Sequence, residues 1–79
     1  MLEVKSAKYL SEYKILVHFN TGEKKLVDLS HSLVGKVFQP LINTSYFSSF
    51  KINFNTIEWD NGADFAPEYL YELGTNAES

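Results

Sequence analysis

The sequence predicts an α+β fold, in which a small antiparallel β-meander sheet with short connecting helices carries a C-terminal helix packed on it. Three observations predict it. In residues 13–19, apolar side chains at every second position alternate with Lys14, Leu16 and His18, which is typical of a strand with one buried face. Turn-forming residues at 20–22 and 60–62 separate short apolar segments. Pro67 precedes a segment with helical spacing, and proline is common at the first residue of a helix.

The N-terminal part is expected to be a three-stranded meander. Its strands are predicted at residues 2–9, 13–19 and 23–29. Turns at residues 11–12 and 20–22 connect them, and Gly22 can adopt the left-handed conformation that a hairpin needs. The inward-facing side chains of the second strand are expected to be Tyr13, Ile15, Val17 and Phe19.

The remaining residues predict short elements that end in a helix. Ser30 is expected to cap a helical turn that Gly35 ends. A second helical turn at 37–42, a loop at 43–45, strands near 50–54 and 57–59 and an extended piece at 63–65 follow. Pro67 begins the last helix and Gly74 is expected to stop it. Residues 1–74 are therefore predicted to form a single domain, with a disordered tail at 75–79.

Composition narrows the function classes. The 79 residues contain no Cys, which excludes disulfides and thiolate metal sites. Residues 1–51 hold seven Lys and four acids, a net charge of +3, whereas residues 58–79 hold six acids and no base. Without any Arg, bidentate recognition of guanine is excluded. No apolar run reaches the roughly 20 residues of a membrane span, and no signal segment opens the chain, so a cytoplasmic protein without a membrane partner is expected.

Two groups of polar residues could form a catalytic or metal-binding site, and each also has a simpler structural interpretation. Asp28, Ser30 and His31 are the residue types of a hydrolytic triad, but their close spacing favours a strand end with a capping serine. An acidic group could hold a hard cation through its carboxylates. Its members are Asp60, Asp64, Glu68 and Glu72. Their spacing does not match a calcium loop and favours a turn followed by a helix start. We therefore expect no enzyme, no metal site and no cofactor.

The C-terminal helix is the preferred interaction surface. Tyr69 and Tyr71 cannot both face inward beside Leu70 and Leu73 on so short a helix, so at least one ring should be exposed. Trp59 is either a core residue or a contact residue for a partner. The predicted partner-binding residues are Trp59, Asp64, Glu68, Tyr69 and Tyr71.

An alternative is a nucleic-acid surface on the sheet. Its predicted residues are Lys8, Lys14, Lys24 and Lys25, which could share one face with Tyr9 and His18. Aromatic and basic side chains on a sheet are typical of single-strand binders. Lysines on an acidic chain are equally typical of a solvated sheet face, and this interpretation is favoured.

The C-terminal half also carries a pattern that resembles the bacterial family called domain of unknown function 2442. The pattern is Ile57-x-Trp59-x-Asn61-Gly62-Ala63-Asp64-Phe65-x-Pro67-Glu68-x-Leu70-Tyr71. Weaker matches extend the resemblance to about residues 4–71. It implies a small protein encoded beside a short protein of domain of unknown function 4160, in a toxin–antitoxin-like pair. Relatives with a C-terminal helix-turn-helix imply regulation, but only eight residues follow Tyr71 in this sequence, too few for that module.

Together, the residues and the resemblance lead to one preferred hypothesis and two alternatives. The preferred hypothesis is a non-enzymatic interaction protein that binds a small protein partner. The acidic C-terminal end suits a basic, toxin-like partner, and the role would be antitoxin-like or regulatory. The alternatives are an accessory nucleic-acid-binding regulator that uses the lysine-bearing face, and a small metal-binding protein or enzyme. A homodimer formed through an open sheet edge or a helix is also compatible with the sequence.

Overall fold

The computed structural model describes residues 1–77 and confirms the α+β fold as two small antiparallel sheets with short helices. The strands are β1 Val4–Ser11, β2 Lys14–Phe19, β3 Lys24–Asp28, β4 Lys51–Asn53, β5 Thr56–Glu58, β6 Asp64–Phe65 and β7 Thr75–Asn76. The helices are a 3₁₀ segment Lys36–Ile42, α1 Thr44–Phe47 and α2 Pro67–Leu73. None of the helices in residues 1–77 is long and apolar enough to span a membrane.

The large sheet contains the predicted meander and has the strand order β1-β2-β3-β7. Ile15, Val17 and Phe19 of β2 are buried, as their alternation predicts, while Tyr13 is half-buried at the start of the strand. We call the face that carries these side chains the inner face. On the opposite, outer face, the β2 side chains Lys14, Leu16 and His18 are only half-buried.

The small sheet packs on the inner face and has the strand order β4-β5-β6. Its centre is Trp59, which is buried and donates a hydrogen bond from Nε1 to the Phe47 carbonyl oxygen at 2.8 Å. Because Phe47 belongs to α1, the tryptophan joins the small sheet to that helix. The other fully buried side chains are Val4, Ile15, Val17, Phe19, Val27, Leu29, Leu41, Phe47, Ile57 and Leu70.

Two connecting segments differ from the prediction. Residues 30–32 form a turn instead of a capped helix, because Asp28 Oδ1 accepts a hydrogen bond from the Ser30 backbone N–H at 2.9 Å. The predicted loop at 43–45 becomes the start of α1. The Asn43 side chain accepts from the N–H groups of Ser45 and Tyr46, which would otherwise have no partner within the helix.

The C-terminal helix begins at Pro67 and ends before Gly74, as predicted, and it packs on β3. The reason for the glycine differs from the prediction, because its φ is −74° and it does not adopt the left-handed conformation. A Cβ at position 74 would lie 2.9 Å from the Lys25 Cβ and 3.1 Å from Val27 Cγ2. Glycine is therefore required here by the close approach of the helix end to β3.

The predicted disordered tail at 75–79 is wrong for its first residues. Thr75 pairs with Leu26 and Asn76 pairs with Lys25, which adds β7 to the open edge of β3. The Ala77 backbone N–H then donates to the Lys24 carbonyl oxygen at 3.0 Å. The rest of the predicted tail, Glu78 and Ser79, lies outside the described residues.

Candidate protein-interaction surface

Three aromatic rings stack on one another where α2 meets the small sheet. The centroids of Phe38 and Phe65 are 4.8 Å apart with the planes 20° from parallel, and those of Phe65 and Tyr69 are 5.5 Å apart at 14°. Phe65 lies in the middle and is buried, while 44% of Tyr69 is exposed. The Tyr69 ring thus extends an ordered hydrophobic stack to the protein surface.

Hydrogen bonds fix this stack from the side of residues 32–38. The hydroxyls of Ser32 and Tyr69 are 2.6 Å apart, and Asn61 donates from Nδ2 to the Val37 carbonyl oxygen at 2.8 Å. Because Ser32 contacts one end of the stack and Phe38 forms the other, the segment between them runs along it. That segment exposes 73% of Val34 and 44% of Val37.

Two exposed carboxylates adjoin the stack in the chain. Asp64 and Glu68 are both exposed and immediately precede the stacked residues Phe65 and Tyr69. Asp64 also pairs with Glu58 across β5 and β6, which places two acids side by side on the small sheet. We call the set Val34, Val37, Phe38, Phe65, Tyr69, Asp64 and Glu68 the aromatic–acidic surface. It combines the stacked rings and two exposed valines with two exposed acids, and it includes three of the five predicted partner-binding residues.

Tyr71 lies elsewhere, on the side of α2 that faces the β2–β3 hairpin. Its hydroxyl donates to Glu23 Oε1 at 2.7 Å, and its ring lies 3.6 Å below Lys25 Nζ. Lys25 Nζ also donates to the Tyr71 carbonyl oxygen at 3.0 Å. The hydrogen bonds from Tyr71 and Thr21 lower the pKa of Glu23, and the same Glu23 contact raises the pKa of Tyr71. Tyr71 therefore fastens the helix to the large sheet.

Trp59, a predicted partner-binding residue, is buried in the structure and not exposed at the surface. Only 1% of it is exposed, and the rings of Phe47, Phe50 and Phe65 surround it at centroid distances of 5.6, 6.2 and 5.9 Å. Its one polar atom is satisfied by the Phe47 carbonyl. A partner could not contact Trp59 without unfolding the core. Its contribution to the surface is therefore indirect, because it packs against Phe65.

The lysine-bearing face is also smaller than predicted. Lys8, Lys14 and Lys24 lie with His18 on the outer face, because their register partners there are the outward residues Leu16, Asp28 and His18. Lys25 is paired with buried Val17 and points to the inner face, since neighbouring residues of a strand alternate. Tyr9 also points inward, with its ring 6.1 Å from that of Phe47. The outer face therefore has three lysines around Leu16 and Leu26 but lacks the predicted tyrosine.

Some residues of the two groups considered for catalysis or metal binding make structural contacts. Asp28 accepts from the Ser30 backbone, and this hydrogen bond lowers the pKa of Asp28, while His31 is exposed on the next turn position. Asp60 pairs with Lys51 Nζ at 3.0 Å. No cluster of three His, Asp or Glu side chains suited to a metal ion occurs in residues 1–77. The same residues form no surface pocket.

The sequence did not predict that residues 34–38 contribute to the aromatic–acidic surface. Val34 and Phe38 lie far from α2 in sequence, and no local period identifies them as neighbours of Tyr69. The available signal was the pair of valines around Gly35. Gly35 has a φ of 93°, so the chain turns between two apolar residues that remain exposed.

The comparisons with known proteins give one match. A family model described as "Protein of unknown function (DUF2442)" matches residues 4–76, which include every element from β1 to β7. No curated protein and no solved structure matches the chain.

Proposed function

The chain belongs to the DUF2442 family of unknown function, and from this premise we propose that it is a cytoplasmic, non-enzymatic interaction protein. Its partner would be a small basic protein, bound at the aromatic–acidic surface. The role would be that of an antitoxin-like or regulatory subunit in a two-gene pair.

One observation carries this proposal, namely the stack that ends at the half-exposed Tyr69. Interface hot spots are enriched in tyrosine and tryptophan, and they contribute most when the ring is held in one orientation before binding. Tyr69 is held by Phe65 on one ring face and by Ser32 at its hydroxyl. Little side-chain entropy would be lost when a partner covers it.

The charge around Tyr69 supports a basic partner. Asp64 and Glu68 are exposed and directly precede the stacked residues in the chain, and Glu58 pairs with Asp64 on one side and with Lys51 on the other. Exposed carboxylates at the border of an apolar centre attract a positive surface and speed association, while the apolar centre provides most of the affinity. A toxin that acts on RNA would present a positive surface of this kind.

The test is to purify the tagged protein from its native host at physiological salt and to identify bound proteins by mass spectrometry. We expect one small basic protein. Its affinity should fall about tenfold or more with Tyr69→Ala, which removes the anchor ring. Glu68→Lys should slow association because it reverses a charge at the border. Glu12→Lys, the same charge change on an exposed residue of the β1–β2 turn, is the matched control and should bind normally.

Equal binding by Tyr69→Ala and the unchanged protein would contradict the proposed surface. Absence of any bound protein, with nucleic acid purified instead, would contradict the proposed partner class.

The outer face supports a second candidate, an accessory nucleic-acid-binding regulator. Lys8, Lys14 and Lys24 share that face with His18, and no aromatic ring of the described strands points there to stack on a base. Binding would therefore depend on phosphate contacts and fall steeply with salt. Replacing the three lysines by glutamine should abolish a gel shift with single-stranded RNA at low salt, whereas Lys36→Gln, away from the sheet, should not.

A further inference from the structure

Phe54 has an unusual conformation for a bulky residue. It forms the turn between β4 and β5 with Asn55, and their φ values are 51° and 66°. Two successive positive φ values suit a two-residue hairpin turn, in which glycine, asparagine and aspartate are the usual residues. A phenylalanine in this region is a conformational outlier and lowers the stability of the fold. Outliers of this kind point to a role outside the fold itself.

The Phe54 side chain is also uncovered, with 87% of it exposed. The turn beneath it is nevertheless well fixed. The Val4 backbone N–H donates to the Asn55 carbonyl oxygen at 2.9 Å, and the buried Thr56 hydroxyl donates to the Phe65 carbonyl oxygen. The Phe54 ring therefore projects into solvent from a turn that hydrogen bonds hold in place. Its own chain does not supply hydrophobic contacts that would offset the backbone strain at Phe54.

The strand that leads to Phe54 is an open edge. β4 is the first strand of the order β4-β5-β6, so only one of its sides is paired. Ile52 shares the core-facing side of the small sheet with its pairing partner Ile57, yet 39% of Ile52 is exposed whereas Ile57 is fully buried. Phe50 is half-buried against Trp59. The hydrophobic core thus reaches solvent along this edge.

The edge of the large sheet is different. β1 has register irregularities between Val4 and Ser6 and again between Tyr9 and Ser11. Bulges on an edge strand twist its backbone and hinder the addition of a further strand. β4 pairs regularly over its whole length and has no such irregularity. Of these two edges, β4 is the one suited to pair with another strand.

We propose that two copies of this chain associate by antiparallel pairing of their β4 edges, centred on Ile52, with Phe54 of each copy packed against Phe50 of the other. In this register Ile52 lies opposite Ile52, and position 54 lies opposite position 50. Lys51 lies opposite Asn53, so no like charges face each other directly, and each Lys51 keeps its own Asp60 contact. The second copy covers the exposed part of the core along β4.

The expected dimer is weak. A buried aromatic side chain removes about 150–250 Å² from water, so the two Phe54 rings account for roughly 300–500 Å². Together with the exposed parts of Phe50 and Ile52 the interface stays below the size range of about 1,200–2,000 Å² for stable complexes. We therefore expect a weak dimer, with a dissociation constant on the order of 10–100 μM.

The test is sedimentation equilibrium of the purified chain from about 5 μM to about 1 mM, which spans that dissociation constant. The mass should rise with concentration from the monomer value of 9.0 kDa toward twice that value. Phe54→Asn keeps a residue that suits the turn and removes the ring, and it should stay monomeric. Ile52→Lys places two like charges opposite each other at the centre of the interface and should do the same.

Leu10→Asn is the matched control, because Leu10 is an apolar residue of β1 with 44% exposure and lies outside the proposed interface. It should dimerise like the unchanged protein. Circular dichroism verifies that every variant is folded. A chain that stays monomeric at the highest concentration, or a Phe54→Asn variant that dimerises equally well, would overturn the proposal. Neither outcome bears on the aromatic–acidic surface.

Discussion

Two turns flank β5, the central strand of the small sheet, and they are built in opposite ways. After β5, the positive φ of the Asp60–Gly62 turn falls on a glycine, at 90°. Asn61 holds this turn with both ends of its amide, accepting from the Ala63 N–H at 3.1 Å and donating to the Val37 carbonyl at 2.8 Å. Before β5, the positive φ values fall on Phe54 and Asn55, and the fixing hydrogen bond comes from Val4.

The two turns thus differ in whether their residue types suit the backbone conformation that the fold requires. In the Asp60–Gly62 turn, residue type and conformation agree, and the sequence alone predicts the turn. At Phe54 they disagree, and the fold tolerates the disagreement because neighbouring strands determine the backbone. Substitution in the first turn should therefore lower the stability, whereas replacing Phe54 in the second turn by a residue that suits its positive φ should raise it.

The largest effect is expected at Trp59, whose carbonyl oxygen accepts from Gly62 N–H at 2.9 Å and so closes the Asp60–Gly62 turn. Trp59→Phe should lower the free energy of unfolding by about 2–3 kcal/mol, because it leaves a cavity and an unpaired Phe47 carbonyl. Urea unfolding followed by circular dichroism measures it. Tyr69→Phe, a change on a half-exposed ring, is the control and should lose far less. A loss below about 1 kcal/mol at Trp59 would contradict its central position in the core.

The next effect concerns the amide of Asn61. Asn61→Ala removes both of its hydrogen bonds and should lower the free energy of unfolding by about 1–2 kcal/mol. Asn61→Asp keeps the acceptor for the Ala63 N–H and loses the donor to Val37, so it should retain part of the stability. If the two variants unfolded at the same urea concentration, the contact between the turn and the 3₁₀ segment would be the one that matters.

Phe54→Asn tests the turn before β5 and should stabilise the monomer. Asparagine adopts a positive φ more readily than phenylalanine, so a gain of about 0.5–1 kcal/mol is expected. Differential scanning calorimetry at low concentration should register this as a rise in Tm of a few degrees. Asn55→Ala provides the converse, because alanine suits the positive φ less well and should lower Tm. A fall in Tm for Phe54→Asn would show that the ring stabilises its own chain.

The smallest effect is expected at the hairpin of the large sheet, where Glu23 accepts from Tyr71. The pKa of Glu23 is lowered in the folded chain, so its contribution to stability is present above its ordinary pKa of 4.5 and is lost as the pH falls through the folded value. Tyr71→Phe removes the largest cause of the shift. The stability of this variant should therefore vary less between pH 5 and pH 3, as measured by urea unfolding at each pH. An unchanged pH dependence would mean that Tyr71 does not control the titration of Glu23.

Much of the fold followed from the sequence, because it depends on local signals. The alternation of residues 13–19 identified β2 and its buried face, and Pro67 identified the start of α2. The strand at Thr75 and Asn76 could not be found in this way, since two residues show no period and their pairing depends on the open edge of β3. The start of α1 depended on the Asn43 side chain, which is equally compatible with a loop.

The aromatic–acidic surface was harder to predict from the sequence than the fold. Tyr69, Asp64 and Glu68 were identified from their neighbours in the chain, but Val34 and Phe38 join them only through the tertiary fold. Whether Trp59 is exposed depended on the position of α1, which no pattern specified. Lys25 was grouped with Lys24, although alternation along β3 already places neighbouring residues on opposite faces.

The buried position of Trp59 also makes this chain convenient to study by fluorescence. It is the single tryptophan of the sequence, and its indole lies in an apolar shell of aromatic rings, with its N–H bonded to a carbonyl. Its emission should be blue-shifted in the native chain and should move to the red when water reaches it on unfolding. Ligands bound at Tyr69 or at Phe54 should change that emission far less than unfolding does, because Trp59 itself stays buried. One chromophore thus reports the integrity of the core, while binding at the surface is followed by a separate label.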